Sequence, residues 1–435
     1  MAIIQQKQLF SWKEIENLGD LERFSLILKY LPDEELMQTL EKLRGKGRDD
    51  YPVRAVWNSI LAGIVYQHSS IESLRRELKR NGQLRQLCGF DLLKGLEAVP
   101  SSNAYRNFLS SLMKHSSLID NIFHTLVVKL RKKLPGFGEV LAIDSKAISS
   151  RSRRASKNRR PDLRGESDAD TGVKTYKGTR EDGSVWESIK KWFGFKLHLI
   201  VDADYELPVA YKITRASSSD VVIGRDMITD LQANRSEILE TARIMIGDKG
   251  YDDTALTRML CTDNDIKTVI DIRDQWKIDG ARLVSGQWNA SHDYKGTVSC
   301  HCPVSWTKRQ MAFGGFEQDR NSLKYRCPAK HYGFKCEGRD RCSISDSIRI
   351  KANPDQRVFT PIARSSYRWK EIYKKRSSVE RVNSRLDESF CFEKHFIRGM
   401  KKMKLRCSLA LIVMLTMAYG RVKEKQRDKI RSLVA

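Results

Sequence analysis

Apolar positions along the first 135 residues recur at helical spacing. In PVRAVWNSILAGIVY, residues Val53, Val56, Trp57, Ile60, Leu61, Ile64 and Val65 step by three and one, which predicts an amphipathic helix. Ser69 with Glu72 has the form of a capping box for the next helix, ESLRREL. Pro100-Ser-Ser-Asn103 marks another start, before AYRNFLSSLMK. An all-α N-terminal domain is expected over 1–135. Its short helices, polar turns and scattered arginines suit a helix-turn-helix that reads DNA and equally a plain helical bundle.

At Gly138 the period changes from helix to strand. Val140-Leu-Ala-Ile143 is a short buried run that ends in Asp144. A polar, basic stretch without apolar periodicity (151–185) precedes WFGFKLHLIVD, whose apolar residues alternate, and LPVAYKITRAS; the turn Ala203-Asp-Tyr-Glu206 joins these two into a hairpin. A helix begins near Asp220, then come the strand ARIMI, a helix from Asp253 to Cys261, and the strand IKTVIDI. Strand, strand, strand, helix, strand, helix, strand describes an α/β fold: a mixed sheet of the ribonuclease H-like type with flanking helices. Residues 136–273 would form its first part. Residues 274–365, with three of the eight tryptophans and five of the nine cysteines, form an expected inserted Cys-containing subdomain. Residues 366–435 would supply the second part of the core and the C-terminal helices.

Composition narrows the partners. Lys plus Arg number 79 against 54 Asp plus Glu, a formal charge of +25. The excess is clustered at 151–160, 370–376 and 394–406, which suits a polyanion such as nucleic acid. The N-terminus lacks the basic and apolar regions of a signal peptide. The apolar run 409–419 is too short to span a bilayer and reads as a buried helix. The expected location is the cytoplasm, and in a bacterium the nucleoid.

The segment IGDKGYDD raises the chemical question. Asp248 ends a buried strand and is flanked by Gly247 and Gly250, which permit positive φ. As a turn it needs no further explanation; as a metal ligand it needs partners. Asp144 ends another buried strand, and the strand order places the two on neighbouring parallel strands. Divalent ions that act on a phosphodiester need more oxygen ligands than two aspartates give. In YKKRSSVERVNSRLDES, Tyr373, Arg376, Glu380 and Asp387 fall within about 60° of one another on a helix. That face offers a third carboxylate beside a guanidinium, and is otherwise an ordinary ion-paired surface helix.

With these motifs in hand, the chain resembles the insertion-sequence DDE transposases that carry a Tyr-x2-Arg-x3-Glu-x6-Lys signature. Tyr373, Arg376 and Glu380 match that spacing, and Arg398-Gly399 follows as in the group. IDSK at 143–146 is similar to the first aspartate motif, GDKGYDD at 247–253 to the second, and 51–90 to the N-terminal region. One position departs: Asp387 stands where the signature has lysine, with Glu388 beside it. The resemblance implies that Asp144, Asp248 and Glu380 hold two Mg2+ ions, Mn2+ being a substitute, with Asp387 or Glu388 as fallback third ligands. It implies cleavage at transposon ends and joining of the 3′-hydroxyls to target DNA, without a covalent protein–DNA intermediate. The partners would be double-stranded DNA with terminal inverted repeats, target DNA, and a second copy of the chain in a homodimer. DNA contacts are expected from Tyr373, Arg376, Lys249, Arg398, Arg151, Arg153 and Arg154. Two other functions remain open: a transposase-derived DNA-binding regulator without cleavage, and a ribonuclease H-like DNA nuclease that cuts without joining.

In the insertion, Cys300, Cys302, Cys327, His331, Cys336 and Cys342 crowd into 43 residues. Structural zinc on Cys327, Cys336, Cys342 and Cys302, with Cys300 or His331 as substitutes for the last, is one reading; reduced, packed thiols are the other. Trp276, Trp288 and Trp306 suit either base stacking or a core.

Overall fold

The computed structural model describes residues 21–45, 50–152, 165–180, 182–274, 280–344, 346–352 and 356–433. The chain divides into two compact units, 1–133 with 384–435, and 134–383. The expected division placed 366–435 with the sheet; from Ser384 onward the chain instead groups with the N-terminal helices.

Among the described residues, the first unit holds seven α-helices before the sheet: α1 (Glu22–Tyr30), α2 (Glu34–Arg44), α3 (Val53–Val65), α4 (Ile71–Arg80), α5 (Gly82–Cys88), α6 (Ser102–Lys114) and α7 (Ser116–Arg131). They surround the helix Met400–Lys423, which packs on α7, α1 and α3. The apolar run 409–419 is only the centre of that helix. The whole helix is long and apolar enough to cross a membrane by length and composition, yet its side chains are buried inside the unit. Helix α3 is buried on nearly every side rather than amphipathic, because its polar residues find internal partners. Ser59 shares a hydrogen bond with the Tyr105 hydroxyl at 2.7 Å, and Asn58 donates to the Cys88 carbonyl at 3.1 Å. The cap of α4 is Ser70, not Ser69: its extended backbone brings Oγ to the Ser73 N–H at 3.1 Å. Glu72 turns instead to Arg75, at 2.8 Å, and to Ser102.

The second unit is built on a six-stranded mixed sheet, β1 (Val140–Ser149), β2 (Asp170–Thr179), β3 (Val185–Asp202), β4 (Leu207–Arg215), β5 (Ile244–Gly247) and β6 (Lys267–Ile270), in the order β2-β3-β1-β5-β6 with β4 also on β3. β3 runs antiparallel to β1, β2 and β4, whereas β1, β5 and β6 are parallel to one another. The fold is therefore mixed α/β. Leu141, Ala142, Leu197, Leu199, Met245, Ile246 and Val269 are fully buried at its centre. Helices α8 (Asp220–Asn234), α9 (Ser236–Thr241) and α10 (Thr254–Cys261) connect the strands. β2 and the first half of β3 have no counterpart in the apolar pattern. Residues 185–191 of β3 are exposed, so alternation had no buried face to mark.

After β6 come two small sheets. One has the order β10-β9-β8-β7, from β7 (Arg282–Leu283), β8 (Ala290–His292), β9 (Val298–His301) and β10 (Lys308–Gln310). The other is β11 (Ala312–Glu317), β12 (Ser322–Arg326) and β13 (Ser347–Lys351), with the short helix α11 (Pro328–Tyr332) between the last two. They share a core that includes Val298, Leu323, Tyr325 and Ile348. Helices α12 (Tyr367–Lys374) and α13 (Ser377–Phe390) follow, α12 lying against β6.

Candidate active site

The backbone ladder decides where the first two acids stand. Ile143 of β1 is paired with Gly247 of β5, so Asp144 and Asp248 are the next residues along two adjacent parallel strands. Two carboxylates at one sheet end repel. Burial, and then the charge of Asp248, push the Asp144 carboxyl up to about 6, against the opposing pull of Lys174, the Ser145 N–H and Arg376. The Ser145 N–H donates to Asp144 Oδ1 at 2.7 Å.

Asp248 caps the short turn Lys249–Tyr251, its Oδ1 accepting the Gly250 N–H at 2.7 Å. Neither Gly247 nor Gly250 has positive φ, contrary to the expectation from the sequence. Glycine at 250 instead leaves room for the carboxylate: a Cβ there would lie 2.7 Å from Asp248 Oδ1 and displace it. The loop beyond is anchored by Tyr251, buried against Gly224 of α8, where an added Cβ would meet its ring at 3.1 Å. Asp252, also buried, accepts from Arg357 Nη1 at 2.9 Å and from the Arg273 N–H at 2.8 Å.

The third acid comes from the helical segment after the insertion. One continuous helix was expected to carry Tyr373, Arg376 and Glu380, but the segment breaks between α12 and α13. Around the break the N–H groups of Lys375, Arg376, Ser378 and Val379 each bond three residues back, a tighter turn than α. Tyr373 ends up on α12 and Glu380 on α13, with Arg376 at the junction. Arg376 Nη1 is 3.5 Å from Asp144 Oδ2, and Nη2 is 2.6 Å from Glu380 Oε1. One guanidinium thus joins two of the expected ligands. Burial works against its charge, but the Glu380 hydrogen bond and the nearby carboxylates raise its pKa overall. Tyr373 stacks on Trp369 with centroids 4.5 Å apart and planes 14° from parallel. Burial, then Asp271, Asp248 and Asp144, push its hydroxyl up to about 12.

Asp271 is a residue the sequence reading missed. It follows β6, the parallel neighbour of β5, with Ile270 paired to Gly247, so the ends of these two strands each present an aspartate. Lys249 Nζ lies 3.6 Å from its Oδ2. The signal was available in IKTVIDI, a buried run ending in an acid, as at Asp144 and Asp248.

The remaining candidates are dispersed. Lys249 is exposed beside Asp248, and Arg151 is exposed just past β1. Arg153 and Arg154 lie outside the described residues, as does Trp276. Arg398 is exposed in the other unit, to which half-buried Asp387 and exposed Glu388 also belong. All nine cysteines are free thiols. Cys300, Cys302, Cys327, Cys336 and Cys342 wall one small cavity, while His331 is exposed and set edge-on to Tyr332 at 4.7 Å. Trp288 and Trp306 are exposed rather than core, their rings 6.2 Å apart. Among the described residues no three His, Cys, Asp or Glu side chains already stand as a ready ion-binding group. Arg376, between Asp144 and Glu380, is the cation that now offsets the acids.

The donor set fits divalent cations in kind: hard carboxylate oxygens, Asp144 within β1, Asp248 just past β5 and Glu380 on α13, with their repulsion offset by arginine and lysine. A mixed α/β sheet thus aligns two aspartates by register, and an arginine links one of them, Asp144, to a helical glutamate. This chain belongs to the DDE transposase family: the family described as Transposase DDE domain matches residues 135–416, more than half of its length. Among solved structures, the chain is similar to the piggyBac transposase synaptic complex with hairpin DNA, at 13% identity and a TM-score of 0.29, over 96% of this chain and 85% of that one. At that level the likeness carries no argument about the site. No curated protein matches the sequence.

Proposed function

We propose that this transposase cleaves the phosphodiester bonds at the ends of its own element and joins the freed 3′-hydroxyls to target DNA, using divalent ions held by Asp144, Asp248 and Glu380. The observation that carries the reading is the shared register of Asp144 and Asp248, tied through Arg376 to Glu380. When bound, Mg2+ or Mn2+ supplies Lewis acidity, which lowers the pKa of an attacking water and offsets charge on the leaving 3′ oxygen. The side chains do the rest. Asp144, held inside β1 opposite Leu199, and Asp248, just past the end of β5, would hold the ions on backbone that cannot shift without breaking the ladder. Arg376, paired here with Asp144 and Glu380, has a planar fork that would suit a phosphate of the DNA were those carboxylates to hold the ions. Tyr373, stacked on Trp369 and with its hydroxyl pushed up to about 12, keeps its proton at neutral pH and can donate a hydrogen bond that positions the DNA backbone.

The sheet order and the sequential use of its strand ends support a ribonuclease H-like core. The +25 charge supports double-stranded DNA with terminal inverted repeats and target DNA as partners, with exposed Lys249, Arg151 and Arg398 as contacts. Pairing two transposon ends calls for a homodimer, acting in the cytoplasm or on the nucleoid.

The test uses the encoding DNA with its flanks, searched for inverted repeats and made as labelled duplex. Purified protein with Mg2+ or Mn2+ should cut at the repeat ends and join them to target DNA, and Glu380→Gln should do neither. Cutting without joining would replace the proposal by a nuclease. Binding without metal-dependent cutting would replace it by a regulator, with Asp387 the first residue to revert to lysine.

A further inference from the structure

The inserted sheets carry a second chemical grouping that has nothing to do with the acids. β9 ends at His301 and the chain turns at Cys302-Pro303; the Trp306 N–H closes that turn on the Cys302 carbonyl at 2.9 Å. β12 ends at Arg326 and turns at Cys327-Pro328. Cys336 and Cys342 lie in the loop between α11 and β13. Four turn cysteines from three separate segments thus face one cavity of about 20 Å³, room for a single ion, with Cys300 also on its wall.

Hydrogen-bond donors reach three of the four sulfurs. Backbone N–H groups of Val304, Ser305 and Gly338 and the Ser305 hydroxyl are aimed at Cys302. Gly338 also donates to Cys336, whose thiol contacts that of Cys302. Asn289, fully buried, donates from Nδ2 to Cys342 Sγ at 3.2 Å. The 336–338 turn closes over 302–303 only because residue 338 is glycine: a Cβ there would lie 2.6 Å from Pro303 Cδ and 3.0 Å from Cys302 Sγ. Cys300 differs, being held in the β9 ladder opposite Ala290 and Arg309.

We propose that Cys302, Cys327, Cys336 and Cys342 bind one zinc ion as a structural tetrathiolate site that ties together the two small sheets of the insertion. Thiolate sulfur selects a soft or borderline ion and not the Mg2+ of the acid site. Among the described residues no three sulfurs share one ion position, so binding would draw the thiols inward by side-chain rotation within their turns. No ligand is shared with Asp144, Asp248 or Glu380, so this inference stands or falls independently of the proposed function.

The test is the metal content of the purified full-length chain, grown with zinc and measured by mass spectrometry. One zinc per chain is expected. Cys336→Ser and Cys342→Ser should each lower bound zinc at least about tenfold, whereas Cys261→Ser and Asp144→Asn should retain it. The wild-type protein reconstituted with Co2+ should show tetrahedral cobalt absorption with intense thiolate charge-transfer bands, which decides the matter even if the serine variants do not fold. Substoichiometric zinc, cobalt spectra without thiolate bands, or a Cys302–Cys336 disulfide in non-reduced peptide maps would overturn the proposal.

Discussion

The acid site and the thiol pocket, both in the second unit, gather side chains of metal-ligating types, but they are assembled by opposite means. Asp144 and Asp248 are placed by a hydrogen-bonded ladder whose register is set by buried apolar residues on either side. The cysteines are placed by turns, whose close packing depends on residues such as Gly338 and Asn289. Register holds carboxylates rigidly even while they repel, as ions that exchange during catalysis require. Turns leave thiols free to rotate onto a single ion that then stays. The acids are offset by Arg376, a cation that can leave; the thiols are offset by N–H dipoles that cannot.

The comparison can be broken most directly at Glu380. Glu380→Gln should lower the rate of end cleavage by on the order of 10³-fold or more, the scale of losing a charge-stabilising group at the reacting centre. Zinc content should stay unchanged, and parallel loss of zinc would show the two sites to be coupled.

Asp144 offers the next largest effect, this time on stability. Its folded pKa of about 6 lies above the unfolded value of 3.8, so the folded protein favours the protonated acid. The stability it contributes is complete below pH 4 and is lost as pH rises through about 6. Without added divalent ion, Asp144→Asn should therefore be more stable than wild type at pH 8, by on the order of 2–3 kcal/mol in chemical denaturation. The difference should vanish near pH 4. Equal stabilities at pH 8 would show that Arg376 and Lys174 already neutralise the acid.

Gly250→Ala tests how tightly the loop holds Asp248. The added methyl would displace the Asp248 carboxylate, so cleavage with Mg2+ should fall by roughly 10- to 100-fold. Mn2+, which is less exacting, should recover part of the loss. An unchanged rate would mean that the close approach of Gly250 to Oδ1 is incidental.

The smallest effect sharpens the idea of an exchangeable cation. Removing the guanidinium in Arg376→Ala should lower the Mn2+ concentration for half-maximal binding by several-fold, about 1 kcal/mol, while weakening DNA affinity. Zinc binding should not respond. A higher Mn2+ requirement would make Arg376 a support of the ion site and not its competitor.

Legibility followed local pattern. The strands carrying Asp144 and Asp248 were readable because buried apolar runs ended in acids, and their parallel adjacency followed from the connecting helix. The signature spacing pointed to Glu380, although the helix break at 375–378 was invisible because i→i−3 bonding needs no special residue there. The β2–β3 extension was missed because neither face of it is buried. Asp271 was missed because a lysine partner and a third strand end matter only once the sheet order is known. Ser70 displaced Ser69 as cap on a difference of backbone angle that composition does not encode.

By itself the sequence determined the helices of the N-terminal region and the buried strands that carry Asp144 and Asp248, the basic character, the presence of three ordered acid motifs and the crowding of cysteines, because each of these is a property of composition or short-range spacing. Only the tertiary structure decided that Arg376 bridges Asp144 and Glu380, that Cys302 meets Cys336 beneath Gly338, and that the chain beyond Ser384 groups with the N-terminal helices. Those are pairings between residues far apart in the chain. They follow from which apolar surfaces bury one another, a free-energy balance of the whole fold that no local window contains.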